Sequence, residues 1–92
     1  MANQINIQNQ LDLLGRPARD RVTGFKGIIS SICFDLYGCV QAVIQPKVDS
    51  RGQYPDGRYI DVSRLEVEST KRVMPLPAFE SFDKGPAEKP QR

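Results

Sequence analysis

The stretch from Ile28 to Gln45 does most to limit what this chain can fold into. Ile28–Phe34 is a run of β-branched, aromatic and small residues, Asp35-Leu36-Tyr37-Gly38 interrupts it, and Cys39–Gln45 resumes it. In the second run Val40, Ala42 and Ile44 alternate with Cys39, Gln41, Val43 and Gln45. Two strand-like runs around a Gly-containing turn specify a β-hairpin, and no helical period fits them. Strict alternation in the first run puts Ile28, Ile32 and Phe34 on one face, with Ser30, and Ile29, Ser31 and Cys33 on the other. Both faces carry apolar groups, so this strand is expected to be central or strongly curved.

Shorter signals flank the hairpin. Ala18–Val22 alternates apolar and charged residues, and Thr23-Gly24-Phe25-Lys26-Gly27 is a turn. Pro46 ends the second hairpin strand, since proline cannot donate to a ladder. A polar loop follows to Gly57, holding the turn settings Asp49-Ser50-Arg51-Gly52 and Pro55-Asp56-Gly57. Arg58–Val62 is expected to be a strand, with Tyr59 and Asp61 on one side and Ile60 and Val62 on the other. Ser63-Arg64 is a corner and Leu65–Glu68 a last strand. Five short strands in some fifty residues build only a small core, and such a unit closes into a barrel or pairs its edges. The expected fold is therefore all-β: a small five-stranded barrel whose order of elements is SH3-like. It divides the chain into a flexible N-terminal segment (1–10), the barrel domain (11–68) and a flexible, Pro-rich C-terminal tail (69–92). In that tail Met74, Leu76, Phe79 and Phe82 are apolar groups able to dock on the domain or on a partner.

Charge and composition narrow the function. The net charge is +2. Eight basic and eight acidic residues balance over 1–68, and the tail carries five basic against three acidic. General nucleic-acid binding draws on an excess of Lys and Arg that the domain lacks, so a nucleic-acid partner is not expected. The polar start does not read as a secretory signal and no apolar run has membrane-spanning length, so the expected compartment is cytoplasmic, with reduced thiols and no membrane partner. With no His and two Cys, the usual proton shuttle and the usual activator of a nucleophile are missing. The expectation is a non-enzyme with no catalytic residue, no cofactor and no metal site.

The motifs each have two readings. In Val22-Thr23-Gly24-Phe25-Lys26-Gly27-Ile28, two glycines three apart suit a backbone cradle for phosphate with Lys26 as its cation, or a barrel corner. The corner reading leads. Cys33 and Cys39 flank the hairpin turn, within reach of a disulfide or a poor metal site, but two small core-facing residues is the leading reading. Asp35, Asp49 and Asp56 fall in turns, where Asp bonds its own backbone, and Asp61 is placed to accept from the Ser63-Arg64 corner. Phe25 and Tyr59 are expected in the core. Tyr37 and Tyr54 are the exposed rings, and with Arg51 and Arg58 they mark the long loop as a binding rim. The expected ligand contacts are Lys26, Arg51, Arg58 and Tyr54 to phosphate and base, with Tyr37 as a further ring.

Two resemblances rest on these residues. Gly15–Ile29 and the Tyr59–Val67 stretch look like the opening and closing corner of SH3-like or KOW-type barrels. Jointly, "VTGFKGI", "LYGCVQ" followed by "QPKVD", and "YIDVSRLEV" resemble a family of small proteins encoded by tailed bacteriophages and prophages, over residues 13–68. The resemblance implies a phage accessory protein acting in the cytoplasm of an infected bacterium. Non-enzymatic accessories of this kind often block host defence. One form is sequestration of a nucleotide-derived immune signal. A barrel this small is filled by its own side chains, so a pocket of about 300 Å³ or more would have to form between subunits of a homo-oligomer. The alternative form is an adaptor that binds a host protein through an edge strand, a loop or the tail. A KOW-like RNA or ribosome binder comes third.

Overall fold

The computed structural model describes residues 7–79. A one-turn helix α1 (Ile7–Leu11) leads into β1 (Pro17–Asp20), β2 (Lys26–Phe34), β3 (Val40–Gln45) and β4 (Arg58–Asp61). A 3₁₀ turn, Val62–Arg64, then joins β4 to β5 (Leu65–Val67). The strands form one antiparallel sheet in the order β4-β3-β2-β1-β5. The fold is small and all-β, as expected.

The connection between β4 and β5 dictates the shape of the sheet. These strands are its two edges, four inter-strand steps of about 4.8 Å apart if the sheet were flat. Only the three residues of the 3₁₀ turn separate them, each rising about 2 Å. The sheet must therefore curl until its edges meet at that end, in a barrel-like shape. Asp61 caps the turn by accepting the Ser63 N–H at 2.9 Å, which is the bond its place beside the corner suggested.

The core lies inside the curl. Ala18, Ile29, Val40, Ala42, Ile44 and Ile60 are buried, with Leu13, Leu14, Phe25, Ile32, Val62 and Leu65 packed around most of them. In β3, Val40, Ala42 and Ile44, which the sequence sets in alternation with the others, are the inward set. The faces of β2 are corrected. Ile29 pairs with Ile44 but Ser31 pairs with Val43, so Ser30 is an extra residue, a β-bulge. The bulge inverts the alternation: Ile29, Ile32 and Phe34 share the inner face, while Ile28, Ser31 and Cys33 face outward. The Ser30 hydroxyl donates to the Val43 carbonyl at 3.4 Å. The apolar character of both faces thus has a cause: the central strand changes face halfway along.

Other expectations shift in detail. β1 ends at Asp20 rather than Val22, because Arg21–Thr23 turn back around the Asp20 carboxylate. Tyr59 faces outward beside Val43 and is exposed rather than core. Cys33 lies opposite Gln41 on the outer face, and Cys39 is exposed just before β3. Both thiols are free, and neither is core-facing. The helix Ile7–Leu11 spans the end of the segment read as a flexible lead-in (1–10) and the first residue of the domain. Ser69–Phe79 forms no strand, yet it is tied to the domain. Arg72 donates to the Leu14 carbonyl at 3.1 Å and the Asp12 carbonyl at 2.8 Å, and the Val73 N–H donates to the Gly15 carbonyl at 2.9 Å. Phe82 and most of the tail lie outside the described residues.

Candidate functional site

The Val22–Ile28 motif resolves into two glycines with different structural tasks. Gly24 has φ +82°, a conformation that L side chains rarely adopt, and it closes the β1–β2 turn by donating to the Asp20 carbonyl at 2.8 Å. Gly27 is in β2, where a Cβ would stand 2.4 Å from the Gln45 carbonyl oxygen. Only a residue without a side chain lets the end of β3 pass so close to β2. The corner reading of this motif therefore accounts for both glycines.

The turn is built on a residue that the sequence reading passed over. Asp20 is 1 % exposed. It receives the Arg64 guanidinium on both oxygens (3.0 and 2.5 Å), the Thr23 hydroxyl at 2.6 Å and the Val22 N–H at 3.1 Å. The Arg64 bonds, then the Thr23 hydroxyl, hold its carboxyl far below the usual carboxylate range despite burial. Arg21 adds a bond from its guanidinium to the Ser63 carbonyl and one from its N–H to the Arg64 carbonyl at 2.8 Å. A carboxylate this saturated takes no proton near neutrality, so it serves as a clip between the β1–β2 turn and the 3₁₀ corner. Its signal in the sequence was parity: Asp20 is two residues from Ala18 and so shares its inward face. Asp35 and Asp49 are likewise structural. Each accepts two backbone N–H groups of its own turn, from Tyr37 and Cys39 (2.9 and 3.0 Å) and from Arg51 and Gln53 (2.8 and 2.9 Å).

Beside Gly27 the polar groups are arranged differently. A groove of about 420 Å³ runs over the outer face, bounded by Pro17, Lys26, Gly27, Ile28, Lys47 and Glu68. Neither lysine belongs to an ion pair among the described residues. Glu68 is 3.5 Å from the Arg19 guanidinium, which also bonds Glu66, so the groove's carboxylate shares one counter-charge with a second carboxylate. The groove therefore sets two ammonium groups and one partly compensated carboxylate around an apolar floor of Pro17 and Ile28, with the cations in excess. That arrangement suits an anion carrying a flat or apolar portion.

The five expected contacts do not form one cluster. Lys26 lines this groove, and Arg58, opposite Ile44, lies at the same end of the sheet. Arg51 and Tyr54 are exposed on the loop that springs from Gln45 at that end, a loop pinned where the Gln45 amide donates to the Pro55 carbonyl at 3.0 Å. Tyr37 is at the hairpin tip, beyond Phe34, and β2 from Lys26 to Phe34 is itself eight residue steps, about 26 Å if straight. It does not join the others. Lys47 and Glu68 were missed, because only the folded loop and the β1–β5 pairing bring them to Lys26. Among the described residues no three His, Cys, Asp or Glu side chains are grouped to hold a metal ion, and no helix is long and apolar enough to cross a membrane.

A second groove, about 290 Å³, lies where Val73–Phe79 crosses Leu14, Gly15 and the Ile28–Ser30 part of β2. Its walls are almost entirely apolar, and it shares Ile28 with the lysine groove.

Comparison of the chain with protein-family models, with curated proteins and with solved structures gives no match.

Proposed function

We propose that this chain is a non-enzymatic binding protein whose Lys26–Lys47 groove holds a nucleotide-derived, phosphate-bearing small molecule, with a second copy of the chain closing the site. The observation that carries the reading is the pair of lysines above the Pro17–Ile28 floor, neither in an ion pair among the described residues. Ammonium groups suit the phosphates and the apolar floor suits a base. The volume is within the roughly 300–1,000 Å³ of small-molecule sites. The groove is open to one side, so a second wall has to come from elsewhere. The strand order β4-β3-β2-β1-β5, with a 3₁₀ turn between β4 and β5, supports reading the domain as an SH3-like barrel. On the phage resemblance, the protein acts in the cytoplasm of an infected bacterium and sequesters a nucleotide signal of host immunity.

A second reading is favoured by the exposed apolar residues Val73, Met74 and Phe79: an adaptor that caps a host protein. The balanced charge of residues 1–68 keeps an RNA-binding reading third.

The test is equilibrium binding of a panel of linear and cyclic nucleotides to the full chain. Saturable binding is expected, weakened about tenfold or more in Lys26→Ala and in Lys47→Ala. Binding that ignores both lysines, or no binding across the panel, contradicts the reading.

A further inference from the structure

We infer that Glu68 makes the Lys26–Lys47 groove selective for guanine, accepting from N1–H and the N2 amino group of the base while the lysines take the phosphate. This rests on the binding reading above and names the class of nucleotide the groove accepts.

The register of the sheet places these residues. On the outer face Pro17 lies opposite Ile28, and Arg19 opposite Lys26. Ala18 pairs with Val67, so the next residue, Glu68, stands beside Pro17, and its N–H donates to the Pro17 carbonyl at 2.9 Å. On the other flank Gln45 lies opposite Ile28, and Lys47 follows two residues later. Glu68 therefore stands at one side of the Pro17–Ile28 floor. Lys26 is two inter-strand steps of about 4.8 Å away across the sheet, and Lys47 is three. A ligand matching this polarity carries an anion at one end, hydrogen-bond donors at the other and a flat body between. In a nucleotide the sugar adjoins the phosphate and the far edge of the base lies at the opposite end. That edge, rather than the ribose hydroxyls, meets Glu68.

The Glu68 carboxylate has room for such a contact. Arg19 hydrogen-bonds Glu66 and stays 3.5 Å from Glu68, close enough to attract the carboxylate while leaving it acceptor capacity. The Glu68 side chain is 40 % exposed, so a ligand in the groove can reach it. A carboxylate presents two acceptor oxygens side by side and no donor. Guanine offers two adjacent donors to match them, N1–H and the N2 amino group. Adenine sets one donor beside the N1 lone pair, which a carboxylate repels. A group left without its partner in this way is what gives hydrogen-bonding sites their discrimination.

The experiment is isothermal titration calorimetry of the full chain with guanosine, inosine and adenosine 5′-monophosphates. These share the ribose and the phosphate and differ at the base; inosine lacks the N2 amino group. The wild type is compared with Glu68→Gln, and circular dichroism verifies that the variant keeps its fold. The expected wild-type preference is about tenfold or more for the guanosine over the adenosine nucleotide, with the inosine nucleotide between them. In Glu68→Gln the ratio of the two is expected to fall to about one or below, because an amide has one donor and one acceptor and suits the adenine edge. Removing a negative charge changes the affinity of all three monophosphates alike, so a purely electrostatic role for Glu68 leaves the ratio where it was. Equal binding of the three, a preference for adenosine, or a guanosine preference that survives Glu68→Gln overturns the inference and leaves the binding reading standing. No binding of any of them, or of the wider nucleotide panel, removes both.

Discussion

The two ends of β1 differ in how their polar groups are used. At Asp20 the chain brings together a carboxylate, a guanidinium, a hydroxyl and several backbone groups, and they satisfy one another. At Pro17, the two lysines Lys26 and Lys47 are in no ion pair among the described residues. Both regions belong to the same sheet and lie a few residues apart. The first joins the two edges of a curled sheet with a small core, so its bonds are part of the fold. The second lies on the outer face, where nothing in the fold requires a lysine. Charged groups absorbed by the architecture have no binding capacity left, whereas those the architecture does not need are the ones a ligand can use.

Breaking the first region has the largest expected effect. Asp20→Ala leaves the Arg64 guanidinium without its acceptor and frees the corner that joins β4 to β5. The melting temperature is expected to fall by about 10 °C or more, or cooperative unfolding to be lost, in a thermal melt followed by circular dichroism. An intact melt would mean that the Asp61 cap, the Arg21 bonds and the packing of Val62 and Leu65 hold the corner without Asp20.

Core truncation comes next. Ile44→Ala removes a fully buried side chain from the inner face and is expected to destabilise by about 2–5 kcal/mol in urea titration. Ile28→Ala, on the outer face, is expected to cost clearly less. Equal costs would contradict the face inversion at Ser30.

Acid sharpens the same contrast. The folded Asp20 carboxyl lies far below its unfolded value of 3.8, and the Asp61 carboxyl is also lowered, chiefly by the Ser63 N–H. Groups with depressed folded values stabilise fully above the unfolded value, and that stability drains as pH falls below about 4 toward the folded values. Melts between pH 7 and pH 2 are therefore expected to be flat above about pH 5 and to decline below pH 4, with a shallower decline in Asp20→Asn. A decline beginning near neutrality would point to other groups.

The smallest expected effect is on the groove. Lys26→Ala with Lys47→Ala is expected to change stability by no more than about 0.5 kcal/mol in urea titration, because neither lysine supports the fold. A larger loss would mean these lysines belong to the architecture after all.

What the sequence made legible follows the range of each interaction. The hairpin, the shared face of Val40, Ala42 and Ile44, the Asp35 and Asp49 turns and the Asp61 cap depend on residues within a few positions of one another, and period and turn chemistry suffice to read them. The Ser30 bulge escaped because a single inserted residue leaves composition unchanged while exchanging the faces on either side of it. Asp20 and Arg64 are 44 positions apart, so their pairing follows only from the sheet curling. Of the residues lining the proposed groove, Lys26 was named from the sequence, whereas Lys47 and Glu68 needed the strand order. Arg51, Arg58 and Tyr54 do not line it, and Tyr37, drawn in by residue type, is separated from it by the length of β2. The tie of the tail to the domain rests on Arg72 reaching two carbonyls and the Val73 N–H a third, all near residues 12–15, contacts with no local signature.

The most direct test is native mass spectrometry of the full chain purified from bacteria, as wild type and as the Lys26→Ala, Lys47→Ala double variant. The account predicts a wild-type dimer, or a multiple of it, carrying extra mass of nucleotide size, and a double variant of the same oligomeric state and melting temperature without that mass. A ligand-free monomer, or a double variant that keeps the bound mass, would contradict it.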